Sequence, residues 1–365
     1  MEYNALTLKA VELLKELIET PSISRNEDKA ADIMEAYMKA NGLVTQRKGN
    51  NVWSISKNFD ANRPTILLNA HIDTVKPADG WQHDPYKATQ EGDKLYGLGA
   101  NDCGGGLVSL LMAFIGLIGS NGLDGKSTAS ALPINPNQPN FIFLASCEEE
   151  VSGKEGLESV LPMLPPISFA IVGEPTGMQP AIAEKGLMVI DATAHGRAGH
   201  AARNEGDNAI YHAMKDIEWL SKWQFPKQSP LLGPVKQTVT IVNAGTQHNV
   251  IPAECTFTID VRSNEFYTNE EIFEFFKEHL TSELKARSFR LSSSHISENH
   301  PFVKLCIEKG LKPFGSPTLS DQALMPFPSL KLGPGESARS HTADEFIKIS
   351  EIDRAITLYL ELLVG

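Results

Sequence analysis

Two short stretches constrain the fold of this chain more than any others. The first, TILLNAHID at residues 65–73, is an apolar run that ends in a His and an Asp, and the second, GLGANDCGGG at 97–106, is a Gly-rich turn with another Asp. In a β-strand, residues two apart point to the same side. Asp73 is therefore expected to hold the imidazole of His71 from behind while the other ring nitrogen binds a metal ion. Asp102, at the start of a helix, can offer one carboxylate oxygen to each of two ions.

Simpler readings of these residues exist. His71 can be a hydrogen-bonded histidine at a strand end, and Asp102 can be a helix N-cap. A dinucleotide site at residues 97–102 is less favoured, because an Asp stands where the third glycine belongs and its charge would repel a pyrophosphate. The hypothesis of a metal site therefore depends on further ligands elsewhere in the chain.

Acidic residues follow two further apolar strands. The strand predicted over 141–146 leads into Cys147 and three glutamates that include Glu149 and Glu150, and the strand over 169–173 leads into Glu174. A run of carboxylates is most often a solvated face, but here apolar strands direct the carboxylates to the edge where His71 is expected. His341, in a Gly-rich loop, adds a second imidazole. Oxygen and imidazole ligands suit zinc or a similar divalent ion.

Composition limits the classes of function. The 365 residues are 41% hydrophobic, enough for two domains with proper cores, and the formal net charge of -12 argues against binding to nucleic acid or to an anionic membrane. No uncharged apolar run reaches the length of a membrane span. The four cysteines form no C-x-x-C pair, which favours reduced thiols and a cytoplasmic location. A small-molecule substrate is the expected partner.

The order of predicted elements divides the chain into an α/β catalytic domain and an inserted unit. Residues 1–179 and 297–365 are expected to form a mixed, mostly parallel sheet sandwiched by helices. Residues 180–296 are expected to form a ferredoxin-like β-α-β-β-α-β unit. Its predicted elements are strands 187–194, 238–243, 254–262 and 287–294, a helix over 209–223 and a helix that begins after Thr268.

Local signals add detail to this layout. Two patterns of Ser or Thr followed three residues later by Glu, at 24–27 and 268–271, predict capping boxes at helix starts. Residues 120–140 are rich in Gly, Ser, Asn and Pro, which is typical of a solvated loop. Apolar residues at helical spacing predict helices near both ends of the chain, over 6–18 and 351–363.

Several motifs occur together in one order along nearly the whole chain. They are NAHID (69–73), GAND (99–102), EE (149–150), GEP (173–175), GRAGH (196–200), NVIP (249–252), DVR (260–262) and the segment 335–345. In these motifs the chain resembles the zinc-dependent family of co-catalytic metallohydrolases that includes aminoacylase, acetylornithine deacetylase, succinyl-diaminopimelate desuccinylase and carboxypeptidase G. One departure is that Cys103 and Gly104 stand where the family often has Met or Thr followed by Lys.

The resemblance implies a role for each motif residue. His71, Asp102 and Glu174 would hold one metal ion, and Asp102, Glu150 and His341 the other. Glu149 would be the general acid and base, and Asp73 would support His71. His200 would reach the active site of a neighbouring subunit in a homodimer formed through the inserted domain. Arg262 and Asn249 would bind the carboxylate region of the substrate.

The activity expected from this resemblance is hydrolysis of the amide bond of an N-acyl amino acid. The leading expectation is deacetylation of N-acetylornithine or N-acetylcitrulline in arginine biosynthesis, with two divalent ions, zinc first and cobalt or manganese as substitutes. Succinyl-diaminopimelate desuccinylation and dipeptide or carboxypeptidase hydrolysis use the same chemistry and stay open. From another class, a non-catalytic metal-binding scaffold has to be considered as well.

Overall fold

A computed structural model describes residues 3–118, 139–203 and 205–364. The chain divides into a first unit, Met1–Ile182 with Ile296–Phe314 and Ser320–Gly365, and a second unit, Ala183–His295 with Gly315–Leu319. The sequence predicted an insertion at 180–296; the short segment 315–319, which the prediction left with the catalytic domain, groups with the second unit. The loop predicted over 120–140 lies outside the described residues except for its last two.

The described strands and helices follow the apolar patterns of the sequence. In chain order the strands are β1 (Thr45–Lys48), β2 (Asn51–Ile55), β3 (Thr65–His71), β4 (Thr89–Glu91), β5 (Lys94–Tyr96), β6 (Asn140–Ser146), β7 (Phe169–Val172), β8 (Ala181–Glu184), β9 (Met188–His195), β10 (Gly199–His200), β11 (Lys236–Ala244), β12 (Val250–Ile251), β13 (Glu254–Arg262), β14 (Glu283–Ala286), β15 (Ser294–His295), β16 (Phe314–Ser316), β17 (Ser329–Lys331) and β18 (Phe346–Lys348). The helices are α1 (Ala5–Ile18), α2 (Asp28–Ala40), α3 (Gly105–Ile118), α4 (Leu157–Val160), α5 (Ala209–Lys222), α6 (Asn269–His279), α7 (Pro301–Glu308) and α8 (Ile349–Val364).

The main sheet of the first unit sets the position of the site. Its strand order is β1-β2-β6-β3-β7-β17-β8. The central strand β3 is parallel to both of its neighbours, β6 and β7. All residues of these three strands are buried, which is why their sequences are continuous apolar runs rather than alternating ones. The carboxyl ends of β3, β6 and β7 therefore meet at one edge of the sheet, as in other open α/β sheets.

Helix α3 is the apolar core helix of this unit. It packs against β3 and β6 and against α1 and α8. Within the described residues, the stretch Ala100–Ile118 is also the one helical segment whose length and apolar composition would suit a membrane span, and 83% of it is buried inside the protein. That burial is typical of the core helix of a globular unit. A separate cluster, which includes Leu67, Ile142 and Val160, packs α4 against the sheet.

The second unit is a four-stranded antiparallel sheet covered by two helices. Its strand order is β11-β13-β9-β14, and α5 and α6 pack on it through a core that includes Ile190, Phe257 and Phe276. The predicted ferredoxin-like β-α-β-β-α-β order and α/β class are confirmed. The prediction of the last strand at 287–294 is wrong, because β14 covers Glu283–Ala286. Leu284 and Ala286 alternate into the core there, and this packing sets the register.

Candidate metal centre

Three predicted ligands meet at the carboxyl edge of the main sheet. His71 ends β3, and its Nε2 lies 3.4 Å from Asp102 Oδ1 and 3.5 Å from Glu174 Oε1. Within the described chain, His71 Nε2 and Glu174 Oε1 are buried without a hydrogen-bond partner. A buried polar atom without a partner costs about 1–3 kcal/mol. The convergence of these atoms therefore fits a cation held between them.

A second ligand set shares Asp102 with the first. Asp102 Oδ2 lies 3.7 Å from His341 Nε2, and that nitrogen lies 3.0 Å from Glu150 Oε2. Ligand atoms about 2.0–2.2 Å from a tetrahedral zinc ion are roughly 3.3–3.6 Å apart. The spacings of the first set, 3.4 and 3.5 Å, lie in this range, and those of the second set, 3.7 and 3.0 Å, lie on either side of it. Asp102 thus directs one oxygen toward each histidine, which is the arrangement that a carboxylate bridging two ions requires.

Asp73 supports the site through both its main chain and its side chain. His71 Nδ1 is 2.9 Å from the carbonyl oxygen of Asp73 and 3.6 Å from its carboxylate. Because a carbonyl can only accept, Nδ1 donates to it, and in the neutral imidazole the lone pair is therefore on Nε2. The Asp73 carboxylate instead accepts hydrogen bonds from the backbone N–H groups of Glu149 and Glu150, both at 3.1 Å. The hydrogen bond to the imidazole thus comes from the main chain of Asp73, while its carboxylate lies 3.6 Å from the same ring nitrogen. The carboxylate also orders the dipeptide that supplies the expected base and a ligand.

Glu149 is the carboxylate best suited to proton transfer. Its Oε2 lies 3.9 Å from His71 Nε2, and 11% of its side chain is exposed. Burial raises the pKa of Glu149 well above its ordinary range, against the opposing attraction of His71. A carboxyl group with a raised pKa can accept and return a proton near neutral pH.

The ligand groups are also electrostatically perturbed. Burial, with the negative charge of Asp102 as the next cause, raises the pKa of Glu174 to about 8. The hydrogen bond to Glu150 raises the pKa of His341 to about 9. Clustered carboxylates and a charged imidazole of this kind are expected where a cation normally balances the charge.

Cys103 borders the first ligand set. Its sulfur falls within 4.8 Å of donor atoms of His71 and Glu174, and it contacts the carbonyl of His71 at 3.7 Å. Burial raises the pKa of the Cys103 thiol to about 12, so it stays protonated. Cys147 is a second free, buried thiol, whose sulfur contacts the carbonyl of Glu155.

Sequence reasoning missed three residues that support the ligands. Asp321 accepts a 2.6 Å hydrogen bond from Ser146, at the end of β6, and its pKa is raised by burial to about 6. Glu345 and Asn101 connect the segments that carry Asp102 and His341. Asn101 and Glu345 lie within the motifs at 99–102 and 335–345, but the sequence indicated no role for either, and Asp321 lies in no motif. Each of the three acts through residues that are distant in the chain.

The remaining predicted site residues lie in the second unit. His200, on β10, is exposed and pairs with Val250, while the carbonyl of Asn249 accepts a 3.0 Å hydrogen bond from the N–H of Ala201. His200 and Asn249 are therefore neighbours. Arg262, at the end of β13, forms a bidentate ion pair with Asp260 at 2.9 and 3.1 Å. Its guanidinium thus already has a carboxylate partner.

Known proteins resemble this chain over most of its length. Residues 182–288 match the family model described as a peptidase dimerisation domain. The acetylornithine deacetylase of Proteus mirabilis is 28% identical to this chain, over 94% of this chain and 93% of the deacetylase. The succinyl-diaminopimelate desuccinylase of Wolbachia pipientis is 25% identical over 79% of this chain and 73% of its own. The YXEP protein of Bacillus subtilis, a dinuclear metal-binding peptidase from the M20 family, has the same fold, with a TM-score of 0.70, 17% identity and coverage of 99% of this chain and 98% of its own. The resemblance inferred from the motifs is confirmed.

Proposed function

We infer that this chain, a metal-dependent hydrolase of the M20 family, cleaves the amide bond of an N-acyl amino acid, with N-acetylornithine or N-acetylcitrulline as the leading substrate. One observation carries the hydrolytic part of the proposal: Asp102 directs its two oxygens toward His71 and His341, and the Glu149 carboxylate lies 3.9 Å from His71. The similarity to an acetylornithine deacetylase over 94% of the chain supports the choice of acyl group and amino acid.

The proposed cofactors are two divalent ions. His71, Asp102 and Glu174 would hold one ion, and Asp102, Glu150 and His341 the other. Zinc is the first choice, and cobalt or manganese would accept the same oxygen and imidazole ligands. When bound, such ions would lower the pKa of a water molecule and polarise the scissile carbonyl.

The chain's own residues supply the proton transfers and the orientation. Glu149 takes a proton from the attacking water and returns it to the leaving nitrogen, which becomes the free amine. Asp73 keeps Glu149 in place through the backbone. His200, from a neighbouring subunit, is the proposed donor to the developing oxyanion. For Arg262 to bind a substrate carboxylate, its pairing with Asp260 must open or be shared.

A second candidate is succinyl-diaminopimelate desuccinylation, favoured by the similarity to desuccinylases such as that of Wolbachia pipientis. Steady-state rates on N-acetylornithine, N-acetylcitrulline, N-succinyl-diaminopimelate and a set of dipeptides, each with zinc, cobalt and manganese, would decide. We expect the highest kcat/KM on an acetylated amino acid. Preference for the succinylated substrate would select the second candidate. A protein that binds two ions and hydrolyses none of these would support the scaffold alternative, which the intact ligand sets and Glu149 disfavour.

The proposed assembly is a homodimer formed through the second unit, supported by the match of residues 182–288 to a dimerisation domain. We also propose that the protein works in the cytoplasm, since all four cysteines are free thiols.

A further inference from the structure

Two segments of the first unit must meet to build the second ligand set. One is the turn that carries Asp102, and the other is the segment 333–345 that carries His341. Glu345 is 2% exposed. One of its carboxylate oxygens accepts the N–H groups of Asn101 at 2.8 Å and Asp102 at 2.9 Å, and the other accepts the N–H of Gly99 at 3.1 Å.

Asn101 makes the reciprocal contacts. Its side chain is fully buried. Its Oδ1 accepts the N–H of Glu336 at 3.0 Å, and its Nδ2 donates to the carbonyl of Glu336 at 3.1 Å and to Ser340 Oγ at 3.2 Å. Each segment therefore presents one buried side chain that binds the backbone of the other. We call Asn101 and Glu345 the crossed pair.

The segment with His341 needs such support. His341 and Asp344 both have positive φ angles, 60° and 54°, a conformation that residues other than glycine rarely adopt without surrounding contacts. The side chain of His341 is 53% exposed, so little packing holds it. His71 and Glu174, in contrast, follow buried strands of the main sheet and are placed without the crossed pair.

We propose that Asn101 and Glu345 are positioning residues that set the spacing between Asp102 and His341. Their loss should weaken the second metal site, which needs both segments, more than the first, in which Asp102 is the one ligand that they hold. This inference rests on the two-ion centre proposed above. Loss of groups that orient metal ligands typically lowers metal affinity by about 10- to 100-fold.

Zinc titration of the metal-free protein, followed by calorimetry and by metal analysis after dialysis at fixed free zinc, tests the proposal. Glu345→Ala and Asn101→Ala should each weaken the second binding event by about 10- to 100-fold and change the first by no more than a few-fold. Glu345→Gln should fall between Ala and wild type, because it keeps one carbonyl oxygen as acceptor. The double Ala variant should lose less than the product of the two single losses, since both side chains hold the same two segments together.

Asp93→Ala is the matched control. Asp93 also joins distant segments, by accepting hydrogen bonds from Tyr3 and Ser350, but it contacts neither ligand segment. Its loss should lower thermal stability and leave both zinc affinities unchanged. Equal weakening of both sites in the crossed-pair variants, or no weakening, would overturn the proposal. If Glu345→Ala fails to fold, Asn101→Ala and Glu345→Gln still decide. Wild-type protein that binds a single zinc ion would instead refute the two-ion centre.

Discussion

At the scale of single residues, Glu149 and Glu150 are adjacent in sequence but differ in surroundings. Both backbone N–H groups are bound by Asp73. Glu150 then directs its carboxylate to His341 at 3.0 Å, whereas the carboxylate of Glu149 lies 3.9 Å from His71 and has a raised pKa. The two side chains carry the same functional group, and their different positions give them the two proposed roles of proton acceptor and metal ligand.

Exchange of each glutamate for glutamine should separate these roles. Glu149→Gln should lower kcat by about 10²- to 10⁴-fold and retain two ions, because the amide cannot accept the proton. Glu150→Gln should lose one ion and activity together. Metal analysis and kinetics on the same preparations make the comparison. Loss of an ion from Glu149→Gln but not from Glu150→Gln would show that the assignment is reversed.

Zinc affinity should fall as the pH is lowered. Without metal, Glu174 holds a proton below about pH 8 and His341 below about pH 9, and zinc must displace both protons. Each proton belongs to a different site, so the product of the two zinc binding constants should fall by at least about tenfold per pH unit from 9 to 8, and by at least about 100-fold per unit below 8. Competition with a chelator of known pH dependence measures this. An affinity that is constant between pH 9 and 7 would contradict the prediction.

At the scale of elements, α3 begins in close contact with the strand end that carries a ligand. A Cβ on Gly106 would lie 1.6 Å from the carbonyl oxygen of Gly173, next to Glu174. Gly106→Ala should therefore force the backbone apart, lower the free energy of unfolding by about 1–3 kcal/mol, and weaken the ion bound by His71 and Glu174. Denaturant unfolding and zinc titration provide the two measurements.

Gly116, in the same helix, is the matched control for this change. A Cβ there meets the ends of two side chains, Leu360 at 3.0 Å and Leu6 at 3.8 Å, and both can move. Gly116→Ala should be neutral or stabilise by up to about 1 kcal/mol, because Ala has the higher helix propensity. Equal destabilisation by both substitutions would mean that the contact with Gly173 has no special effect.

The starts of two helices show when a capping pattern in the sequence predicts the structure and when it does not. The capping box at Thr268 and Glu271 is present as predicted. The matching pattern at Ser24 and Glu27 does not cap α2. Ser24 donates to the Asp73 carboxylate, and Glu27 accepts the N–H of Glu148, so tertiary contacts near the metal centre replace the local ones.

Residues at strand ends could be proposed as ligands because apolar runs show where the strands stop. Asn101 and Glu345 could not, because their function exists only when two distant segments meet. Asp73 is a similar case. The sequence predicts that it lies near His71, but it does not predict the hydrogen bonds that the Asp73 carboxylate accepts.

At the scale of the whole molecule, the proposed homodimer predicts complementation between two inactive variants. In a mixed dimer of Glu149→Ala and His200→Ala chains, the His200→Ala chain keeps its own Glu149 and would receive an intact His200 from its neighbour. With random pairing, activity should return to about a quarter of wild type for a two-fold dimer. Activity after co-refolding, with subunit exchange followed by a tag on one variant, is the measurement. Exchanged mixtures that stay inactive would exclude a shared site.

The division of the chain also fixes an order of events during synthesis. The first unit is interrupted by residues 183–295 and completed by segments that include 320–365, and His341 and Glu345 lie in the last of these. A ribosome therefore releases nearly all of the second unit, and every other ligand, before the second metal site can exist. Since domains generally fold as they emerge, we expect the proposed second ion to bind only after His341 has left the ribosome, when the other ligands have already been synthesised.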